Sequence, residues 1–453
     1  MYYRLNSNIA LRSWVKVPYA YYSYGYREAK GLKQEEYELL SLCDGNHELP
    51  NSELLFRLLD QGLIARCEKG DTISEWQKPR FSTNRYFPAV NLAVTGKCNY
   101  NCKHCFMAKD SSAMTEEFTF EECVGLLDDF IKCGIQTITL TGGEPLLRHD
   151  FGELLEEIAR RRLYLEDIGT NGSLITEELL DKLIALKLRP MIKISFDGIG
   201  HHDWMRGVDG AEERTIRAIK LCKSKGFYVK VQSCFHRDNM HSLYDTAMRM
   251  NSLSVDELRI IRTAESPRWK ENCESANLTA QEYYDACLEL LSKYKDAKAS
   301  MVLDMWSFLT YYPQTNSYRF RPLECECEDQ FKETFPVCRG NRGLIFIGCD
   351  GAVAPCNQLS GVLRNFGDDW GNVRREGLQQ LLLDSEYLNR VTCTVGELFE
   401  RNTTCGSCEY RKLCHGGCRA IGYGITGDYL GEDYMKCVFF KEGYIDKVNC
   451  VLA

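Results

Sequence analysis

Six short runs rich in valine, isoleucine, leucine and threonine recur across the middle of the chain, and that alternation limits the fold more than any other feature. They span residues 89–95, 136–141, 165–170, 191–196, 227–235 and 257–263. Helical signals lie between them. Thr119 and Glu122 have capping-box spacing, and Gly134 stands where that helix should stop. Phe151, Leu154, Leu155 and Ile158 form one helical stripe. Six βα units in sequence predict a parallel sheet with helices outside it, either open or curled into a barrel. In such sheets, sites form at the carboxyl ends of the strands.

The flanks read differently. A chain of 453 residues suggests roughly three domains. Residues 1–75 begin with aromatic and β-branched runs that read as two or three short strands. Two amphipathic helices follow. The second carries Leu54, Leu55, Leu58 and Leu59, with Asn51 as its expected N-cap and Gly62 as its stop. Strands followed by a helical pair look like a winged-helix module. Residues 76–88 hold two prolines and read as a linker, residues 89–319 form the βα region, and residues 320–453 form a third, cysteine- and glycine-rich region. Short periodic segments and many cysteines there point to a fold that depends on metal.

Composition narrows the function. The net charge is −8 with no long basic run, which argues against nucleic acid as partner. Residues 1–20 have no signal-peptide pattern and no apolar run is long enough to span a bilayer, so the expectation is a cytoplasmic protein without a membrane partner. Twenty-three cysteines in such a protein indicate metal ligation rather than disulfides.

The chemistry sits where the strands end. Cys98, Cys102 and Cys105 follow the first run in a C-x3-C-x2-C loop. Three thiolates suit a [4Fe–4S] cluster with one iron free, and a zinc knuckle is the alternative. After the second run comes TGGEP, Thr141 to Pro145, whose glycines let backbone approach a ligand and whose Glu144 can receive an ammonium group. TNG, residues 170–172, follows the third run. SFDG follows the fourth, where Ser195 and Asp197 are placed to bond ribose hydroxyls.

Together these motifs resemble the radical S-adenosylmethionine (SAM) superfamily. Cys98, Cys102 and Cys105 match its cluster motif, with His104 at its usually aromatic position. Gly142, Gly143, Glu144 and Pro145 match its motif for the methionine amino group, and Ser195 and Asp197 its ribose motif. The resemblance implies a partial (β/α)6 TIM-like barrel. It also implies an open iron that binds SAM, and one-electron cleavage to a 5′-deoxyadenosyl radical that takes a substrate hydrogen.

The third region carries a second constellation. Cys338 and Cys356 are followed by Cys405, Cys408, Cys414 and Cys418, then Cys437. Seven cysteines suit two tetrahedral sites with one ligand short, and a pair of zinc ribbons would also use them. The spacing resembles the Fe–S SPASM domain of radical SAM peptide-modifying enzymes. That resemblance implies one auxiliary cluster on Cys405, Cys408, Cys414 and Cys437. A second would sit on Cys338, Cys356 and Cys418, making three [4Fe–4S] clusters in all. Its fourth ligand is open between Cys327, the favoured choice, Cys325, Cys349 and none. Cys234, near the end of the fifth run, is a candidate hydrogen donor to a substrate radical, with a buried strand thiol as the plainer role.

The N-terminal order of strands and helices resembles the peptide-recognition element of enzymes that modify ribosomally made peptides, which capture a leader by β-augmentation. The expectation is therefore a maturase of a ribosomal precursor peptide with a leader, fed by a flavodoxin- or ferredoxin-type electron donor. Formation of a cysteine thioether, of the sactipeptide or ranthipeptide type, is the first choice of reaction. Carbon–carbon crosslinking, epimerisation and anaerobic sulfatase maturation are the alternatives, and a DNA-binding iron–sulfur or zinc regulator is a different class.

Overall fold

The computed structural model describes residues 1–105, 107, 117–273, 277–325, 327–338 and 343–453. Its strands, in chain order, are β1 (Tyr2–Leu5), β2 (Ile9–Trp14), β3 (Val17–Ser23), β4 (Lys30–Gly31), β5 (Asp44–Glu48), β6 (Ile64–Cys67) and β7 (Arg80–Ser82) in the N-terminal part. The central strands are β8 (Ala89–Ala93), β9 (Thr137–Thr141), β10 (Tyr164–Thr170), β11 (Met191–Ser195), β12 (Val229–Phe235) and β13 (Glu257–Arg262). They are followed by β14 (Val302–Met305), β15 (Leu309–Tyr312), β16 (Ser317–Phe320), β17 (Leu344–Ile347) and β18 (Val353–Ala354).

The six expected strands lie side by side, in chain order, in one parallel run from β8 to β13. The run is longer than its sequence pattern. β14 adds to β13 in parallel after the helix Ala280–Asp296, and β17 returns from the cysteine-rich region to pair in parallel with β8, Leu344 opposite Ala89. The sheet stays open, with antiparallel β16 and β18 at its two ends. It is the mixed α/β, partial TIM-barrel fold, and its third region shares the same sheet.

Alternation explains the layering. Ile138, Leu140, Ile192, Ile194, Val229, Val231, Leu258 and Ile260 are buried in the main core beneath the helices. The helix Phe120–Lys132 is set by the Thr119–Glu122 capping box and buries Cys123, Leu126, Leu127 and Phe130. The other face is polar. Thr139 donates to Asp167 at 3.0 Å, and Lys193 reaches Asp167 at 2.6 Å. Asp304, fully buried, takes Lys230 at 3.1 Å, Arg259 at 3.0 Å and Arg321 at 2.8 Å. Satisfied charges allow this face to be buried without being apolar.

The N-terminal part has its own core of Tyr3, Leu5, Ile9, Leu11, Leu40, Leu55, Leu58 and Ile64. Its strands form two small sheets, β5-β1-β6 and β4-β3-β2-β7. Two expectations change here. The helix Glu53–Asp60 is capped by Ser52, whose hydroxyl accepts from Leu55 N at 3.1 Å, rather than by Asn51. Residues 76–88 are no free linker. Gln77 donates to the carbonyls of Asn6 and Ile9, Trp76 packs on Tyr22, and β7 pairs with β2. Aromatic and amide side chains with a packing role outweigh the breaking effect of the prolines.

This module is seated on the amino ends of the barrel strands. Trp14 Nε1 and Asn84 Nδ2 both donate to Cys133 O, at 3.2 and 3.0 Å, and Arg162 donates to Ser7 O while lying over Trp76. Cys133 and Arg162 stand in the turns leading into β9 and β10, opposite the strand ends that carry the motifs. Gly134 (φ +75°) lies flat under the Trp14 indole, and any Cβ there would overlap the ring. Among the described residues no helix is long and apolar enough to cross a membrane.

Gly134→Ala is expected to destabilise the chain by about 1–3 kcal/mol through overpacking and backbone strain. Denaturant unfolding of the variant against the parent chain checks this. A variant as stable as the parent would mean that the indole yields at no cost.

Candidate functional site

The loop after β8 carries the three clustered cysteines. Cys98, Cys102 and Cys105 are all partly buried. Tyr100 N donates to Cys98 Sγ at 3.4 Å, and Cys105 N donates to Cys102 O at 3.3 Å. Burial pushes the Cys98 thiol up to about 11, with Cys102, Glu144 and Cys105 adding like charge. Burial and Cys102 raise Cys105 too. Thiols packed this way resist ionisation alone, and a cationic centre between them reverses that cost. Burial also holds the His104 ring neutral, lowering its pKa to about 4, and its Nδ1 has no hydrogen-bond partner among the described residues. Three thiols and an orphaned ring nitrogen at the end of a strand fit a metal–sulfur centre with an organic group beside it.

The TGGEP segment is built against this loop. Gly143 N donates to Thr95 O and Glu144 N to Lys97 O, each at 2.8 Å. A Cβ on Gly143 would overlap the carbonyls of Lys97 and Gly96, and one on Gly142 (φ +147°) would overlap Thr95 O. The glycines thus serve a backbone-to-backbone approach between neighbouring strand ends, where the sequence suggested an approach to a ligand. Glu144 is fully buried. Its carboxylate accepts from Thr170 Oγ1 at 2.8 Å, Asn171 N at 2.7 Å and Leu146 N at 3.2 Å. Burial still outweighs these donors and raises its pKa to about 7. Three of about four acceptor positions are used. One remains for an ammonium group, which would favour the ionised form.

The SFDG segment departs further from expectation. Ser195 is half-buried on the polar face, paired with Gln232 in the neighbouring strand. Asp197 has no exposure. Arg206 Nε lies 2.6 Å from its Oδ2, and Cys234 N donates to its Oδ1 at 3.0 Å. The carboxylate is thus held by an ion pair to Arg206 and a backbone amide in the protein interior. His202 sits beside it, with Nδ1 accepting from Asp197 N at 3.0 Å. The donor atoms of His104, Asp197 and Cys234 lie within 4.8 Å of one another. Burial pushes the Cys234 thiol up to about 12, so it keeps its hydrogen at neutral pH.

Sequence reasoning placed Thr170 and Asn171 at the pocket only as part of TNG, without seeing their bonds to Glu144, and gave His202 no role. A charged triplet, His202, Asp203 and Arg206, on a five-residue helix beside a strand end was the available signal. Arg262, at the end of β13, donates to Leu278 O, Thr263 O and Glu265.

In the cysteine-rich region the thiols sort by which others they feel. Cys356 and Cys418 are each raised by Cys338, and Cys418 by Cys356. Cys405 is raised by Cys437 and Cys408, Cys414 by Cys437, and Cys437 by Cys408. Burial is the larger cause throughout, taking Cys356 and Cys405 to about 11 and Cys414 and Cys418 to about 12. Among these seven, Cys338, Cys356 and Cys418 thus lie near one another, as do Cys405, Cys408, Cys414 and Cys437. Polar groups scaffold them. Asp433 accepts from Cys418 N at 2.8 Å, and buried Arg419 donates to the carbonyls of Tyr429 and Gly431. Cys327 is exposed, Cys325 is buried with Sγ 3.5 Å from His415 Nε2, and Cys349 is buried at the end of β17 beside Asp350.

Residues 92–250 match the Radical SAM superfamily. The barrel is a radical SAM domain, and that family implies a [4Fe–4S] cluster and SAM. Two protein relatives and one solved structure extend the comparison. The chain is 29% identical over 349 residues to the AdoMet-dependent heme synthase of Nitratidesulfovibrio vulgaris, covering 75% of this chain and 89% of that one. It is 26% identical over 349 residues to the PqqA peptide cyclase of Bradyrhizobium diazoefficiens, covering 76% and 84%. Its fold matches the crystal structure of Streptococcus suis SuiB bound to the precursor peptide SuiA, with TM-score 0.67, 15% identity and coverage of 96% and 99%.

A carboxyl that keeps its proton to about 7 when folded, but to about 4.5 when unfolded, weakens the folded state as pH rises between those values. Glu144→Gln is expected to flatten that fall, read as denaturation midpoints across the interval. An unchanged slope would mean Glu144 ionises normally.

Proposed function

We propose that this chain is a radical SAM maturase of a ribosomally made precursor peptide, forming an intramolecular crosslink, with a cysteine thioether as first choice. The observation that carries the reading is the partition of seven further thiols into a set of four and a set of three. A three-thiol set leaves a position at which a substrate cysteine sulfur can bind. A radical SAM domain alone needs no such region.

In this reading Cys98, Cys102 and Cys105 hold the SAM-binding cluster. The rims of TGGEP and SFDG, with Glu144 and Ser195, hold the methionyl amine and the ribose, and His104 lies against the adenosyl part. The bound cluster and SAM supply one electron and a carbon radical that removes a substrate hydrogen. The chain orders the loop, keeps His104 neutral, and keeps water from the buried strand ends. Cys405, Cys408, Cys414 and Cys437 hold one auxiliary cluster, and Cys338, Cys356 and Cys418 the other. The fourth position there is taken by Cys327, Cys325 or Cys349, or is open to substrate. A flavodoxin- or ferredoxin-type protein supplies the electron.

The N-terminal module supports a peptide substrate. The edges of its larger sheet are β4 and β7, since Lys30–Gly31 covers β3, those of the smaller sheet are β5 and β6, and Phe81 of β7 is 63% exposed. A leader strand can add at such an edge. The module sits at the opposite end of the strands from the cysteine loop. β9 has five residues, so the leader must cross about 17 Å at about 3.3 Å per residue. Likeness to the heme synthases favours a tetrapyrrole as the second substrate class. Cys234 keeps epimerisation open, because a protonated thiol beside the site can return a hydrogen atom.

The test is an anaerobic reaction of reconstituted enzyme, SAM and reductant with the precursor peptide encoded beside the gene. Loss of two hydrogens with a cysteine no longer alkylatable is expected. Deuterium gain in heavy water, abolished by Cys234→Ala, would establish epimerisation instead, and turnover of an iron porphyrin alone would establish the second substrate class. Shortening the leader-to-core spacer below roughly five extended residues is expected to abolish modification, whereas inserting Gly-Ser pairs is tolerated. Full modification of the shortened peptide would exclude leader capture at the N-terminal module.

A further inference from the structure

Arg206 joins two parts of the site that the sequence keeps apart. It ends the helix His202–Arg206, which follows SFDG, and it is buried. Its Nε lies 2.6 Å from Asp197 Oδ2, and its Nη1 lies 3.6 Å from Cys102 Sγ. Backbone fixes the same approach. Asn101 N donates to Arg206 O at 3.1 Å, and Lys103 N to Met205 O at 2.9 Å. Two residues flanking Cys102 are thus bonded to the end of the helix whose last side chain reaches the Cys102 sulfur.

The counter-ion is equally fixed. Asp197 has no exposure, Cys234 N holds its Oδ1, and Asn239 Nδ2 donates to its backbone carbonyl at 2.7 Å. Nothing in the mechanism above uses this pair. A guanidinium needs no sulfur partner to satisfy it, and a buried ion pair is weak as a source of stability. Its place beside a cysteine of the cluster loop calls for an electrical role. N–H···S contacts and nearby charge are among the main determinants of the potential of iron–sulfur centres.

We propose that Arg206 is a positioning residue that sets the reduction potential of the centre on Cys98, Cys102 and Cys105, with Asp197 as the opposing charge that limits its effect. The proposal rests on the cluster reading of those three cysteines. A cation and an N–H donor at Cys102 Sγ favour the reduced, more negative state and raise the potential. The carboxylate 2.6 Å from the guanidinium offsets part of that. Through the SFDG end of β11, the pair also ties the cluster loop to the strand that carries Ser195. The potential therefore responds to how that strand end is held.

The test is an EPR-monitored redox titration of the anaerobically reconstituted full chain, following the signal that changes on adding SAM. Arg206→Gln is expected to move that midpoint to a more negative potential, and Arg206→Lys to recover part of the shift. Asp197→Asn, which keeps the acceptor for Cys234 N, is expected to move it the opposite way. Opposite shifts separate an electrical role from a structural one, since loss of structure would not reverse sign. An unchanged midpoint in Arg206→Gln, or shifts of the same sign, would overturn the proposal. If Arg206→Gln fails to assemble the centre, Asp197→Asn decides, and a midpoint there that does not rise overturns it. A parent chain with iron but no SAM-responsive signal would instead remove the cluster reading itself.

Discussion

Crowded thiols, withdrawn only in part from solvent, are the constraint on which this structure turns. Ten cysteines lie in three groups, and burial and neighbouring thiols oppose ionisation of Cys98, Cys105, Cys356, Cys405, Cys414, Cys418 and Cys437 among them. A chain gains nothing by burying thiols this way for packing alone, because single small apolar residues would serve. The arrangement becomes favourable once a cationic centre replaces the protons, and folding and ligation then share one free energy. The scaffold of the third region fits that view. Arg419, Asp433 and Lys436 are buried there and engage backbone amides, carbonyls and Glu324 where an ordinary domain would place leucines. Leucines such as Leu359, Leu381 and Leu398 still pack this region into the main core, and the polar contacts are aimed at the segments that hold the sulfurs.

The barrel supplies the frame for the first group. Its outer face is apolar and fixes the helices, while its other face is a set of paired charges centred on Asp167 and Asp304. An open sheet with a polar face can receive a polar cofactor and an extended substrate without losing its core. The strand ends are tied to one another by backbone and buried carboxylates. Glu144 links the ends of β9 and β10, and Asp197 links β11 and β12 to the helix that grips the cysteine loop. The strand ends are therefore preorganised by buried carboxylates.

Much of this was legible in the sequence. Each of the six expected central strands is present, within two residues at either end, because β-branched runs bounded by glycine turns give a strong local signal. The capping box at Thr119 and the stop at Gly134 also hold. Long-range pairing was not legible. The parallel return of Leu344–Ile347 to β8, and β14 beyond the sixth strand, depend on partners far away in the chain. Residues 76–88 misled through their prolines, while Trp76 and Gln77 carried the packing. At the site, the motifs gave residue types and strand ends, but not which carboxylate faces outward. Glu144 and Asp197 are both inward-facing, and only the fold shows that Asp197 has its charge partner in Arg206.

The central claim is that Cys98, Cys102 and Cys105 hold an iron–sulfur centre that works on SAM. The most direct measurement is SAM cleavage by the anaerobically reconstituted, reduced protein, assayed as 5′-deoxyadenosine beside iron and sulfide content. The account predicts a brown protein that forms 5′-deoxyadenosine, and a Cys98→Ala, Cys102→Ala, Cys105→Ala variant that keeps iron at its other cysteines but forms none. A colourless zinc protein, or an iron-loaded parent chain that leaves SAM intact, would contradict it.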